Sequence, residues 1–117
     1  MKTIFLGEGE THVRDALRLI IENNTGLQVI GEASTAESLL AQVCSNQPDA
    51  LLLEWNLPGI HHQRLLQALQ AYCPKLPIIV ISVKPEDEYA AEEWGLAGFI
   101  SKQLPPEEFI SKLVALL

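Results

Sequence analysis

Basic side chains are scarce in this chain. Eight Lys and Arg stand against fifteen Asp and Glu, leaving a formal net charge of −7 over 117 residues. A duplex binder neutralises phosphates with a basic face, so direct binding to DNA or RNA by this domain is not expected, and neither is docking on an anionic membrane. Long hydrophobic runs are missing too, for none approaches the ~18 residues of a spanning helix. The start, Met1-Lys2-Thr3-Ile4-Phe5, turns polar at Gly7-Glu8, too soon for the apolar core of a signal peptide. Cysteine is limited to Cys44 and Cys73, far apart and without CxxC spacing, which speaks against a metal knuckle or a redox motif. The pair could bond, but with no sign of export it is read as two reduced thiols in a cytoplasmic protein. Repeats, low-complexity tracts and linkers are absent as well.

What remains is an ordinary globular composition, 48% apolar and 20% charged. A chain of this size can bury a sufficient core without a metal or disulfide staple. Short apolar runs alternate with segments of helical period. Lys2–Leu6, Leu27–Gly31, Ala50–Leu53, Ile78–Ser82 and Ala97–Ser101 read as strands. Between and after them, helices are expected over Thr11–Asn23, Ser34 or Thr35 to about Asn46, His61–Tyr72, about Glu86–Trp94, and Pro105–Leu117. Glu37 stands near the position that a capping box prefers, and Asn56-Leu57-Pro58-Gly59 is a turn by composition. Five successive β-then-α units with continuously apolar strands imply a doubly wound α/β sandwich, its parallel sheet covered on both faces. Residues 1–117 are expected to form one domain, with no room left for a second.

In such a sheet, ligands bind outside the carboxyl ends of the strands, where the winding reverses. The first strand delivers Gly7, Glu8, Gly9 and Glu10 there, the third Glu54, Trp55 and Asn56, the fourth Ser82, and the fifth Lys102. Carboxylates, a hydroxyl and a lysine converging at strand ends suit a phosphate and a hard cation.

Three segments, Val29-Ile30-Gly31-Glu32-Ala33-Ser34, Pro48-Asp49-Ala50-Leu51-Leu52-Leu53-Glu54-Trp55-Asn56-Leu57-Pro58-Gly59 and Gly98-Phe99-Ile100-Ser101-Lys102, give the chain its likeness. It resembles a response-regulator receiver domain of the CheY-like type, most of all receivers of the NarL/FixJ group. The resemblance implies a flavodoxin-like sheet in the order 2-1-3-4-5, and a role in two-component phosphorelay signalling as a signalling module rather than an enzyme. It also implies a sensor histidine kinase or another signalling protein as partner, and it admits a homodimer. By the same resemblance Glu54 matches the phosphoacceptor, an aspartate in the family; Ser82 matches the hydroxyl, and Lys102 the lysine, that contact the phosphoryl group. Glu8, Glu54 and Asn56 match the Mg²⁺ ligands, Phe99 matches the aromatic switch, and His62 falls where a glycine is usual.

The departures lie in the pocket. Gly9 stands where the family carries a second acid, and Glu54 adds a methylene to the acceptor. Mg²⁺ demands near-octahedral oxygen ligands, so its site is expected to be weak or lost. Displacing a nucleophile by something over 1 Å can alone cost ~100-fold, which makes Glu54 a poor phosphoacceptor and the chain a pseudo-receiver. A receiver still phosphorylated inefficiently on Glu54 is the alternative. The extra reach of Glu54 would bring its carboxylate toward Lys102 and Ser82, a standing charge where a phosphoryl group would sit. With Ser82, Lys102 and Asn56 in place, aspartates at 9 and 54 are expected to restore phosphorylation of an intact scaffold. The stretch from Ser82 to Gly95 runs about two residues short of the family's spacing.

Smaller signals weigh less. Gly7-Glu8-Gly9-Glu10-Thr11-His12 has part of a dinucleotide fingerprint, with Glu32 where a ribose-binding acid belongs, but His12 replaces the third glycine and two glutamates would repel a pyrophosphate. Glu10 is expected to face solvent. His61 and His62, adjacent at a helix start, are expected to point apart and to hold no metal. Trp55 reads as a packed loop residue or an interface anchor, and the acidic run from Glu86 to Glu93 as a solvated face.

Overall fold

The computed structural model describes residues 1–24 and 26–117. Strands β1 (Lys2–Gly7), β2 (Leu27–Ala33), β3 (Ala50–Glu54), β4 (Ile78–Ser82) and β5 (Gly98–Ser101) alternate with helices α1 (Thr11–Glu22), α2 (Ala36–Asn46), α3 (His62–Tyr72), α4 (Asp87–Glu93) and α5 (Pro106–Leu116). All pairings are parallel, in the order β2-β1-β3-β4-β5. The first crossover runs outward to β2 and the later ones run the other way, so the winding reverses between β1 and β3. That reversal opens the crevice at their carboxyl ends.

The continuous apolar strands are explained by a core on each face. Leu51, Leu53, Ile78 and Val80 pack with Leu39 and Val43 of α2 and Leu65, Leu66 and Leu69 of α3. The alternate residues Leu52, Ile79 and Ile81 pack with Leu17 and Ile21 of α1 and Phe109 and Leu113 of α5. Each fully buried Leu or Ile contributes about 1.5–3 kcal/mol, so the two layers hold the strand ends where the crevice needs them.

Local chemistry sets the boundaries. Thr35 caps α2, its Oγ1 accepting from the Ser38 N–H at 3.2 Å. Glu37 does not complete a capping box; its carboxylate accepts from the Ile60 N–H at 3.1 Å and so ties the loop after β3 to α2. At Gly59 (φ +109°) a Cβ would stand 2.1 Å from that same carboxylate, so only glycine fits there. Strand β2 continues past Gly31 to Ala33 because Glu32 pairs with Leu6 and Ala33 with Gly7. Helix α4 is one residue shorter at each end than the expected Glu86–Trp94, those two residues serving as its caps.

Two expectations are corrected. Cys44, in the last turn of α2, and Cys73, just past α3, lie 5.7 Å apart at Cα and are joined by a disulfide, so they are not reduced thiols. The two helices pack on one sheet face and their ends lie side by side, a juxtaposition that no sequence spacing encodes. The rings of His61 and His62 do not diverge. Their centroids are 4.1 Å apart, and His62 is also 4.1 Å from the Trp55 ring. His61 sits before the helix with extended ψ, its Nδ1 accepting from the Gln63 N–H, which turns its ring back over His62. Trp55 is buried in the core, as a packed loop residue.

The disulfide closes a loop across a sequence separation of 29. The Cys44→Ser/Cys73→Ser double variant should lose about 2–4 kcal/mol of unfolding free energy in urea, and reductant should do the same to the native protein. Equal midpoints for native and variant would mean the thiols are free.

Candidate functional site

Backbone bonds beyond the strands fix where each side chain starts. The Glu8 N–H donates to the Ala33 carbonyl at 3.0 Å, Trp55 to Ile81 at 3.0 Å, and Lys102 to Ser82 at 2.8 Å. The sheet ladder is thereby extended by one residue at β1, β3 and β5. Glu8, Glu54 and Lys102 consequently converge over the crevice, lining a cleft with Gly9, Glu10, Asn56 and Pro58.

Three of these lining side chains form an ion triad. The Lys102 ammonium contacts Glu8 Oε1 closely and lies 3.3 Å from Glu54 Oε1. All three side chains are largely withdrawn from water, with 13%, 3% and 12% exposure for Lys102, Glu8 and Glu54. Glu8 Oε1 is buried and makes no directed hydrogen bond, so the ammonium alone meets its charge. Its other oxygen, Oε2, accepts from the Glu10 N–H at 3.0 Å. Burial pushes the Glu54 carboxyl above the usual range, Lys102 opposes the shift, and the nearby charge of Glu8 adds to it.

The remaining predicted residues fall into place unevenly. Asn56 is exposed on the cleft wall. Ser82 is fully buried at the end of β4, yet its hydroxyl is turned to α4, donating to Asp87 Oδ2 at 2.6 Å and accepting from the Lys84 N–H at 3.1 Å. The short connection after β4 brings Asp87, the first residue of α4, onto that hydroxyl. Phe99 is buried in the core with the Lys112 ammonium 5.8 Å from its ring centre. Glu10 caps α1, accepting from the His12 and Val13 N–H groups, and these bonds hold its carboxyl below the usual range. Glu32 is paired to Arg18 and lies 3.9 Å from Arg14, so it is committed to α1 and not offered to a ribose.

Mg²⁺ does not fit the residues as they stand. Both carboxylates are spent on Lys102, and Gly9 supplies none. Among the described residues no three of His, Cys, Asp or Glu are grouped so as to hold a metal ion. A Cβ at Gly9 would stand 2.6 Å from Pro58 Cδ. Pro58 is anchored in turn, its carbonyl accepting from the Ala36 N–H at 2.8 Å. The restoration expected from aspartates at 9 and 54 therefore meets a ring already in the way. That contact between two loops was not visible in the sequence; Pro58 was read there only as part of a turn.

Comparison with known proteins agrees with this architecture. The profile described as "Response regulator receiver domain" matches residues 4–114. The response regulator UvrY of Escherichia coli is 29% identical over 115 residues, 97% of this chain and 53% of that protein. The nitrate/nitrite response regulator protein NarL of Escherichia coli is 30% identical over 113 residues, 95% of this chain and 52% of that protein. The chain thus spans about half the length of the curated relatives it matches. In structure it superposes on the signal receiver domain of a NarL response regulator from Mycobacterium tuberculosis with a TM-score of 0.85 at 22% identity, covering 97% of this chain and 94% of that one. For the isolated receiver domain of RcsB from Salmonella enterica serovar Typhimurium, with the phosphomimetic BeF3−, the values are 0.87 and 21%, with 98% and 87% coverage.

Breaking a buried ion pair from one side strands the surviving charge. Lys102→Ala should therefore destabilise the protein more than Lys102→Ala combined with Glu54→Gln, with a coupling of about 1 kcal/mol or more in urea melts. Additive effects would mean that the two side chains do not interact.

Proposed function

Because the chain belongs to the response-regulator receiver family, whose members serve two-component signalling, we propose that it is a pseudo-receiver: a protein-interaction module held in one state without phosphorylation of Glu54. Several observations support this reading, and the one that carries it is the ion triad. Phosphoryl transfer to a receiver needs a free carboxylate nucleophile and a metal to neutralise charge on the incoming group. Here the carboxylate in the acceptor position is bound to Lys102, and the ammonium is shared with Glu8. The Ser82 hydroxyl is engaged by Asp87. Each group that would meet a phosphoryl group already has a partner within the chain.

The Glu54 carboxylate on Lys102 also places a negative charge beside the lysine. In a receiver of the ordinary kind a phosphoryl group would supply it, so the resting state resembles a phosphorylated one in charge while lacking its chemistry. Signalling then depends on which protein docks, and a histidine kinase or another two-component protein is the natural partner class for this family. In this reading the domain itself performs no turnover and contacts no nucleic acid. Among the described residues no helix is long and apolar enough to cross a membrane.

Incubation with Mg²⁺ and a small-molecule phosphodonor, followed by intact mass, should show no added phosphate. A gain on Glu54 would establish the inefficient phosphoacceptor instead. The Gly9→Asp/Glu54→Asp variant should also stay unphosphorylated and lose about 1–3 kcal/mol through the overpacking against Pro58. A single added phosphate in that variant would show that the loop yields.

A further inference from the structure

We infer that the Cys44–Cys73 disulfide is a thiol–disulfide exchange site, opened and remade by a dithiol while the domain stays folded. The chain thereby carries a redox-responsive surface at the end of the sheet opposite the carboxylate cleft. The bond sits by the amino ends of β3 and β4, into which α2 and α3 lead, so nothing in it depends on the chemistry of Glu54.

The fold does not need this bond. Val43, one residue before Cys44, and Leu69, four before Cys73, are fully buried in one core with Leu39, Leu65 and Leu66. These side chains keep α2 and α3 on the sheet whether or not the sulfurs are joined, and a chain of 117 residues closes a core without a staple. Held at the observed Cα separation of 5.7 Å, within the span that a disulfide requires, two reduced thiols can rejoin without backbone movement.

The bond is also within reach of a reagent. Cys44 and Cys73 are each partly exposed, and both line a cleft of about 370 Å³ with Gln47, Tyr72 and Lys75. Cys73 lines a second hollow as well, walled by Gly95, Leu96 and Ala97 and not by Cys44. That hollow lies between α3 and the start of β5, on the side of Cys73 away from α2. It gives a thiolate an approach to Cys73 Sγ in line with the departing sulfur of Cys44. In the first step the thiolate of the dithiol bonds to Cys73 Sγ, the Sγ–Sγ bond breaks, and Cys44 leaves as a thiolate that takes up a proton. The second thiol of the reductant gives up its proton and attacks its partner sulfur in the mixed disulfide. Cys73 is released as a thiolate and protonated in turn. Two electrons and two protons pass to the protein, and the dithiol departs as its own disulfide. The Lys75 ammonium on the cleft wall favours the thiolates formed on this path.

What opening releases is bounded by fixed points. The Asp49 N–H donates to the Thr3 carbonyl at 2.9 Å, and the Leu51 N–H to the Pro77 carbonyl at 2.9 Å, so the chain is pinned again soon after each cysteine. Before the first of these points Gln47 ends α2 in the left-handed region (φ 49°, ψ 54°), which is costly for a residue with a Cβ. A cross-link at Cys44 steadies that turn. Opening it frees residues 44–48 and 73–76 and reshapes the cleft they line.

Thiol alkylation in native buffer, read by intact mass, tests this. Dithiothreitol should open the bond in every molecule, each then taking up two alkyl groups, with a cooperative urea transition retained. The rate in native buffer should lie within tenfold of the rate in denaturing urea, and oxidised dithiothreitol should return the chain to a form that takes up none. Amide ¹H–¹⁵N spectra of the two forms should differ at Val43–Gln47, Tyr72, Cys73, Lys75 and Leu76, and agree at Gly7–Glu10 and Lys102. Cys73 in the Cys44→Ser variant should form a mixed disulfide with hydroxyethyl disulfide faster than Cys44 does in Cys73→Ser; the reverse order would overturn the assignment of Cys73 as the sulfur attacked. Reduction only under denaturing conditions, or loss of the urea transition on reduction, would mark a structural staple and overturn the inference. Thiols that oxidised dithiothreitol fails to join would overturn it as well.

Discussion

One lysine answering two buried carboxylates is the constraint on which this site depends. Lys102 reaches Glu8 and Glu54 because β1, β3 and β5 end at one level and each is prolonged by a further backbone bond. The sheet's two apolar layers hold those ends rigidly, so burial at Leu52 or Ile79 is indirectly what sets the position of a charge. Fold and site are therefore one problem. A longer carboxylate at 54 would be unremarkable in a loop, but at a strand end it meets an ammonium.

The surroundings of the triad add three further sets of contacts. Pro58, held by Ala36, covers the space above Gly9 where a second acid would project. Asp87 takes the Ser82 hydroxyl, and Trp55 is sunk into the core with His62 stacked on it. Burial pushes the His62 imidazole below its usual value, with His61 adding to the shift and Asp87 opposing it. A neutral ring is what such a stack favours. On the proposed pseudo-receiver reading, these side chains stand in for diffusible partners.

Much of this was legible in the residues. Uninterrupted apolar runs such as Ile78–Ile81 could only be strands covered on both faces, and the strand ends named Glu8, Glu54, Ser82 and Lys102 before any geometry was known. What escaped had a common cause: it depended on pairs far apart in sequence or on a side-chain direction. Cys44 and Cys73 meet because two helices end side by side, and no spacing rule encodes that. The Gly9–Pro58 approach joins two loops, and the Ser82 hydroxyl could have turned either way until the connection after β4 put Asp87 beside it. His61 and His62 stack because the first lies outside the helix, a one-residue distinction that periodicity does not resolve.

On the proposed reading Lys102 engages both pocket carboxylates, and the cleft does not accept a metal–phosphoryl assembly. Amide ¹H–¹⁵N spectra recorded with and without Mg²⁺ and beryllofluoride test it most directly, because that complex stands in for the phosphoryl group. Unchanged resonances are expected at Gly7–Glu10, Glu54–Leu57, Gly59, Ser82 and Lys102. Saturable shifts confined to those residues would show an open, metal-competent pocket and contradict it.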